Sequence, residues 1–236
     1  MAMINKMKAE AQQVAEVTSK NSAEEVALLR NAISVFAEAF AVANDLAKPE
    51  AATVRKALVS HNFNTLNLAF DSVMQGYYIQ SIALLRNVYE NWLAFWYVAK
   101  YQDEAHYWLN PSWEQRPPKA EVMLNKIEHE SKEDKTKLRG FHSELARFDH
   151  TDPVTVLSRI KIVENKAMIL VGVRYDKAEF ATCTYALCLW LGNALDMIAS
   201  TIPQEEGWHQ RHAAVSERLL AYIENDNASR KAKRVD

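Results

Sequence analysis

The sequence predicts an all-α fold, a multi-helix bundle packed around a buried central helix at about residues 77–101. Three observations predict it. Only five glycines and six prolines occur among 236 residues, too few for the frequent turns of an all-β chain. Apolar residues recur at helical spacing through most of the long segments. One of those segments is apolar on nearly every side, as a helix is when its neighbours enclose it. A hydrophobic content of 49% with 25% charged residues excludes wholesale disorder. The net charge of −2 gives no general pull towards nucleic acid or acidic partners.

The elements follow in order. Ile4, Met7, Ala11, Val14 and Ala15 place a first helix over residues 3–19. Ser22 with Glu25 reads as a capping box opening a second helix that runs to about Ala47, with Val26, Leu29, Ile33, Phe36 and Phe40 on one face. Pro49 restarts the chain for a third helix, about residues 50–74, which stops near Gly76.

In the central helix the heptad lines Tyr78/Leu85/Trp92 and Ile82/Tyr89/Trp96 are apolar, and only the line of Gln80 and Asn87 is polar along much of its length. A short helix capped by Asp103 follows over residues 103–110, then a proline-rich loop to Pro118. Two further helices are expected at 119–131 and 133–149, the latter with Leu138, Phe141, Leu145 and Phe148 on one face and Asp152-Pro153 breaking the chain after it. Residues 154–174 read as a broken helix or a short β-hairpin, and their β-branched content favours the hairpin. Asp176 with Glu179 caps a long apolar helix to about Ser200, and Pro203 opens a last helix to about Glu224. The expected organisation is one helical domain over residues 1–224 and a flexible polar, basic tail over 225–236.

The N-terminal segment has no continuous apolar core and is not expected to be a signal peptide. The longest apolar stretch, Phe180 to Leu195, is shorter than a bilayer span, so no membrane partner is expected. Cys183 and Cys188 are five residues apart and point to different faces of one helix, which predicts core thiols in a reducing compartment and a cytoplasmic location.

Four groups of residues are candidates for chemistry. Arg86 and Glu90 lie one turn apart in the apolar central helix, as a buried ion pair that fixes register or as the floor of a pocket. His142, Asp149 and His150 end the helix over 133–149, either capping it or contributing to a shared polar site. Glu205, His209 and His212 share one face at metal-ligand spacing, but a lone Glu-x-x-His falls short of a di-iron pattern, and no metal or cofactor is expected. Arg230, Lys231, Lys233 and Arg234 form a basic tail without interleaved aromatics, weak support for nucleic-acid binding. Glycine-rich phosphate loops, nucleophile elbows and Cys-x-x-Cys motifs do not occur.

The run from Ser81 through Arg86 and Glu90 to Ala94, with Ser143 to His150 downstream, resembles a group of bacterial all-helical proteins that carry Arg-x-x-x-Glu on one helix and a His-ended motif on another. The group is loosely similar to HEPN-type domains, and the resemblance spans about residues 50–200. Many HEPN proteins are metal-independent ribonucleases. That resemblance implies a phosphate-holding Arg and a base His, which fall here on Arg55 and His61.

The leading expectation is a helical bundle with a buried polar pocket formed by Arg86, Glu90, His142, Asp149 and His150, with Tyr89 or Trp92 as an apolar wall. Its partner would be a small anionic or polar ligand, or another protein. The alternatives are a HEPN-type ribonuclease of a toxin or defence system and a structural homo-oligomer joined through the amphipathic first and last helices.

Overall fold

The computed structural model describes residues 2–112, 115–131, 139–140, 143, 145, 160–163, 166–169, 173–203 and 205–232. The chain is an α-helical bundle with a single two-stranded hairpin among the described residues. The helices are α1 (Ala2–Asn21), α2 (Ala23–Val42), α3 (Pro49–Met74) and α4 (Tyr78–Lys100). A 3-10 turn (Gln102–Ala105) and the single-turn α5 (His106–Leu109) precede α6 (Ala120–Ser131), and α7 (Lys177–Ala199) and α8 (Glu206–Ala232) complete the chain.

Local chemistry sets several boundaries. Pro49 opens α3, where a missing amide proton costs nothing. Gly76 turns the chain between α3 and α4 with φ +79, and a Cβ there would lie 2.6 Å from the Arg174 carbonyl oxygen, so both conformation and crowding demand glycine. Asp176 caps α7 by accepting from the Ala178 and Glu179 amides, both at 3.0 Å.

Three local expectations are overturned. Ser22 makes no capping bond; it is buried, and its hydroxyl pairs with that of Tyr175 at 3.2 Å. Helix α2 ends at Val42 rather than Ala47, because the Asp45 side chain turns to accept from Ala47 N and from Arg55. Asp103 is no cap either, since Lys48 reaches it at 2.6 Å.

The expected tail is helical to Ala232. No glycine or proline follows Gly207, the Asn227 amide reaches the Tyr185 hydroxyl at 3.5 Å, and Ser229 bonds the Asn225 carbonyl within the helix. Of the helix expected over 133–149, residues 139–140, 143 and 145 are described and are helical, with Leu145 in the core. The hairpin forms where β-branched residues cluster, with Ile160–Val163 antiparallel to Lys166–Ile169 and Val163 paired to Lys166.

Helix α4 is enclosed as its pattern requires: only Gln80, Asn87 and Lys100 are exposed along it. The centre is nevertheless shared. Helix α7 packs on α2, α3, α4 and α8, and α4 packs on α3, α6 and α7. Phe36, Phe40 and Phe63 tie α2 to α3 edge-on at 5.4 Å, and Trp208 anchors α8 by donating to the Val35 carbonyl at 2.9 Å. No helix among the described residues is long and apolar enough to cross a membrane.

Candidate functional site

Arg86 and Glu90 do pair, Nε to Oε1 at 3.0 Å, but their side chains are 23% and 38% exposed, so the pair is not enclosed. The reason is helical geometry. Both residues flank Asn87, the middle of the one solvent-facing line on α4, and so share its side of the helix. The aromatic wall expected beside them is core packing instead: the rings of Tyr89 and Trp92 both meet Trp190 edge-on, at 5.6 and 6.2 Å. His142, Asp149 and His150 lie outside the described residues.

Arg55 and His61 are six positions apart on α3 and point in different directions. His61 is exposed, with Nδ1 2.6 Å from the Asn91 amide, which in turn donates to the buried Asn62 at 2.9 Å. Arg55 is turned inward and committed to other groups. The face of Glu205, His209 and His212 is also divided, since His209 Nε2 bonds the Ile202 carbonyl at 3.0 Å. His212 stacks on Trp208, with Nε2 3.3 Å from Asp196 Oδ1 but badly aligned for a hydrogen bond. Among the described residues no group of three or more His, Cys, Asp or Glu is placed to hold a metal.

The most enclosed ion pair among the described residues is Arg55–Asp45. Arg55 Nη1 donates to Asp45 Oδ1 at 2.9 Å and Nη2 to Ser200 Oγ at 2.9 Å, and the guanidinium lies 4.4 Å over the Phe95 ring. The side chains are 8% and 12% exposed. Burial pulls the Arg55 pKa below its ordinary value, and the Asp45 charge opposes that pull. Asp45 Oδ1 also accepts from Ala47 N at 3.0 Å, while Asp45 Oδ2 and Arg55 Nε are buried with no hydrogen-bond partner among the described residues. An orphaned buried carboxylate oxygen carries a desolvation cost of about 1–3 kcal/mol or more.

Asp45 is among the residues that line a cavity of about 230 Å³ between the α2–α3 connection, the first turns of α3 and the end of α7. Its apolar wall comes from Phe40, Ala43, Ala52, Val59 and Ile198. Its polar wall comes from Asn44, Asp45, Thr53 and Thr201, with the exposed Lys56 at the rim. Asn44 N donates to the Thr201 carbonyl at 2.8 Å, so the connection is sewn to the end of α7 and the cavity floor is fixed. One water needs only about 10–15 Å³ of such volume, so the space exceeds a single bridging water.

A second polar cluster joins α6 to α4. Lys126 Nζ donates to the Tyr97 hydroxyl at 3.0 Å and to Glu104, and lies 4.1 Å from the centre of the Tyr101 ring. Tyr97 donates to Glu104. Burial works against the Glu104 charge, but the bonds from Lys126 and Tyr97 outweigh it and hold the carboxyl below its ordinary range. Burial, then the bond to Glu104, raises the Tyr97 pKa, so this phenol stays protonated and the cluster docks one helix on another.

Asp45 is not among the candidates that the sequence offers, because the apolar pattern of the second helix runs on through it. The signal was the Asn44-Asp45 pair shortly before Pro49, a turn-forming dipeptide that breaks the helical pattern. Arg55 carried a signal of its own: it lies one turn from Ala51 and Val59 on the inward line of α3, where a cation needs an acid. In comparisons with known proteins, no family model, no curated protein and no solved structure matches this chain.

Proposed function

We propose that the chain is a small-molecule-binding helical bundle whose site is the cavity floored by Asp45 and backed by Arg55. One observation carries this reading: a cavity of about 230 Å³ joins the apolar wall of Phe40, Val59 and Ile198 to Asp45, which the buried Arg55 holds in place. Small-molecule sites are concave and mostly apolar with a few fixed polar groups, which is the make-up of this wall. The cytoplasmic location belongs to the same proposal and is supported by two buried, unpaired thiols.

The test is a fragment screen followed by protein NMR, with the methyl groups of Val59 and Ile198 as reporters. Binding should shift them in the native protein and not in Ala52→Phe, which fills the cavity from a partly buried position. Fragments that map elsewhere, or that bind both proteins equally, would refute the assignment.

Two observations count against the ribonuclease alternative: Arg55 is already held by Asp45 and Ser200, and His61 lies on another face. Self-association has one observation in its favour. Met3 and Ile4, on the N-terminal half of the amphipathic α1, are 68% and 60% exposed. Light scattering on Ile4→Lys tests it: a dimer dissociating in the variant supports self-association, and a monomeric wild type excludes it.

A further inference from the structure

We infer that two copies of this chain dock across a two-fold axis through the outer face of α3, with Lys56 of each copy set against Asp71 of the other. The pairing does not depend on what the cavity binds. It is written in where α3 carries charge and where it carries none.

No Lys, Arg, Asp or Glu occurs between Lys56 and Asp71, although Ala57, Ser60, His61, Asn64 and Leu68 all face outward. Helix α8 is of similar length and exposes Glu206, Arg211, Glu217, Arg218 and Glu224. A solvated helix face tolerates such charges freely, whereas the centre of a protein interface is depleted of them. Leu68 is 55% exposed within this uncharged stretch. The face continues onto α4. Ser81 donates to the Ala69 carbonyl at 2.9 Å and the Asn91 amide meets His61 at 2.6 Å, which fixes an antiparallel register. In that register the half-buried Leu84 stands opposite Leu68, with the exposed Asn87 beside it.

The two end charges identify the occupant. Both are exposed, and among the described residues neither Lys56 nor Asp71 makes an ion pair. Lys56 lies eight positions before Asn64 and Asp71 seven after it, so a two-fold axis at Asn64 brings the opposite charges together twice. A parallel arrangement would set Lys56 on Lys56 and Asp71 on Asp71. The same axis places Leu68 over Ser60 of the other copy, where a small side chain leaves room. Asn64 then meets its own copy, and a carboxamide can do so because it carries donors and acceptors alike. A nucleic acid would need several cations on this face, which holds Lys56 alone between Arg55 and Asp71. Helix α3 has 26 residues, about 39 Å, and with α4 beside it is about 20 Å wide, an outline close to the roughly 800 Å² per copy of a standard interface. Lys56 also stands at the cavity rim, so docking brings Asp71 of the other copy to each cavity mouth.

The experiment is sedimentation velocity of the full chain at low ionic strength, at concentrations up to about 100 μM, above the micromolar upper end for an interface of this size. The wild type should be a dimer. Leu68→Glu should be monomeric with circular dichroism and Tm near those of the wild type, because the position is exposed. Lys56→Asp and Asp71→Lys should each weaken the dimer about tenfold, since each sets two like-charged pairs across the axis. The double variant Lys56→Asp/Asp71→Lys should return to within about twofold of the wild type. Such rescue cannot arise within one chain, where the two residues stand about 22 Å apart along α3. A monomeric wild type overturns the inference, and so does a dimer that survives Leu68→Glu. Single variants that weaken the dimer without rescue in the double variant overturn the two-fold pairing.

Discussion

The Arg55 guanidinium lies 4.4 Å from the centre of the Phe95 ring while it donates to Asp45 at 2.9 Å. One cation from α3 is thus shared between an aromatic face on α4 and a carboxylate on the α2–α3 connection. A third contact, to Ser200, adds the end of α7. The residue that fixes the cavity floor is also a junction of three helices, so the two roles are inseparable in any single substitution.

Asp45→Ala should destabilise the fold by about 3–5 kcal/mol, because it leaves a buried guanidinium without its counter-charge. Adding Arg55→Met should recover much of that loss, since the stranded charge goes with it. Urea denaturation of the three proteins checks both statements. A loss below about 1 kcal/mol for Asp45→Ala would mean the pair is solvated in solution.

The Arg86–Glu90 pair should behave differently. Partly exposed and one turn apart, it should show a coupling of only about 0.3–0.5 kcal/mol. A double-mutant cycle with Arg86→Ala and Glu90→Ala isolates that coupling from any other contact of either residue. A coupling of about 2 kcal/mol or more would return the pair to the interior.

Gly76→Ala should be costly although it adds one methyl group. A left-handed φ of +79 costs an L-residue about 1–2 kcal/mol, and the new Cβ also meets the Arg174 carbonyl at 2.6 Å. Thermal unfolding should show a clear drop in Tm, whereas an unchanged Tm would contradict the turn geometry.

Stability should decline above about pH 9. Burial pushes the Cys183 and Cys188 thiols from 9.0 up to about 12, and burial pushes the Tyr78 phenol from 10.0 up to about 12. Between those values the unfolded chain loses protons that the folded chain keeps, so ionisation favours unfolding. Each group contributes a slope of up to about 1.4 kcal/mol per pH unit in its window. Urea midpoints from pH 8 to 11 measure it, with Cys188→Ala flattening the fall. In the native protein at pH 7 both thiols should also resist alkylation.

What the sequence determined by itself is the set of features written in local chemistry. Pro49 opens a helix, Gly76 closes one, and Asp176 caps another, because each acts on amides or dihedral angles within a few residues of itself. The solvent line of Gln80 and Asn87 was legible for a related reason: helical spacing alone sorts residues onto faces. Tertiary structure decided which polar groups are enclosed. Asp45 and Ser200 meet at Arg55 only because the α2–α3 connection and the end of α7 converge on α3, across 145 positions in the case of Ser200. Ser22 carries a capping pattern, yet it bonds Tyr175 because packing brings that hydroxyl within reach of a buried serine. Arg86 and Glu90 sit in an apolar sequence, yet packing leaves their side of α4 partly open to water. A helix pattern gives the direction a side chain faces; whether water or protein waits in that direction depends on the other helices.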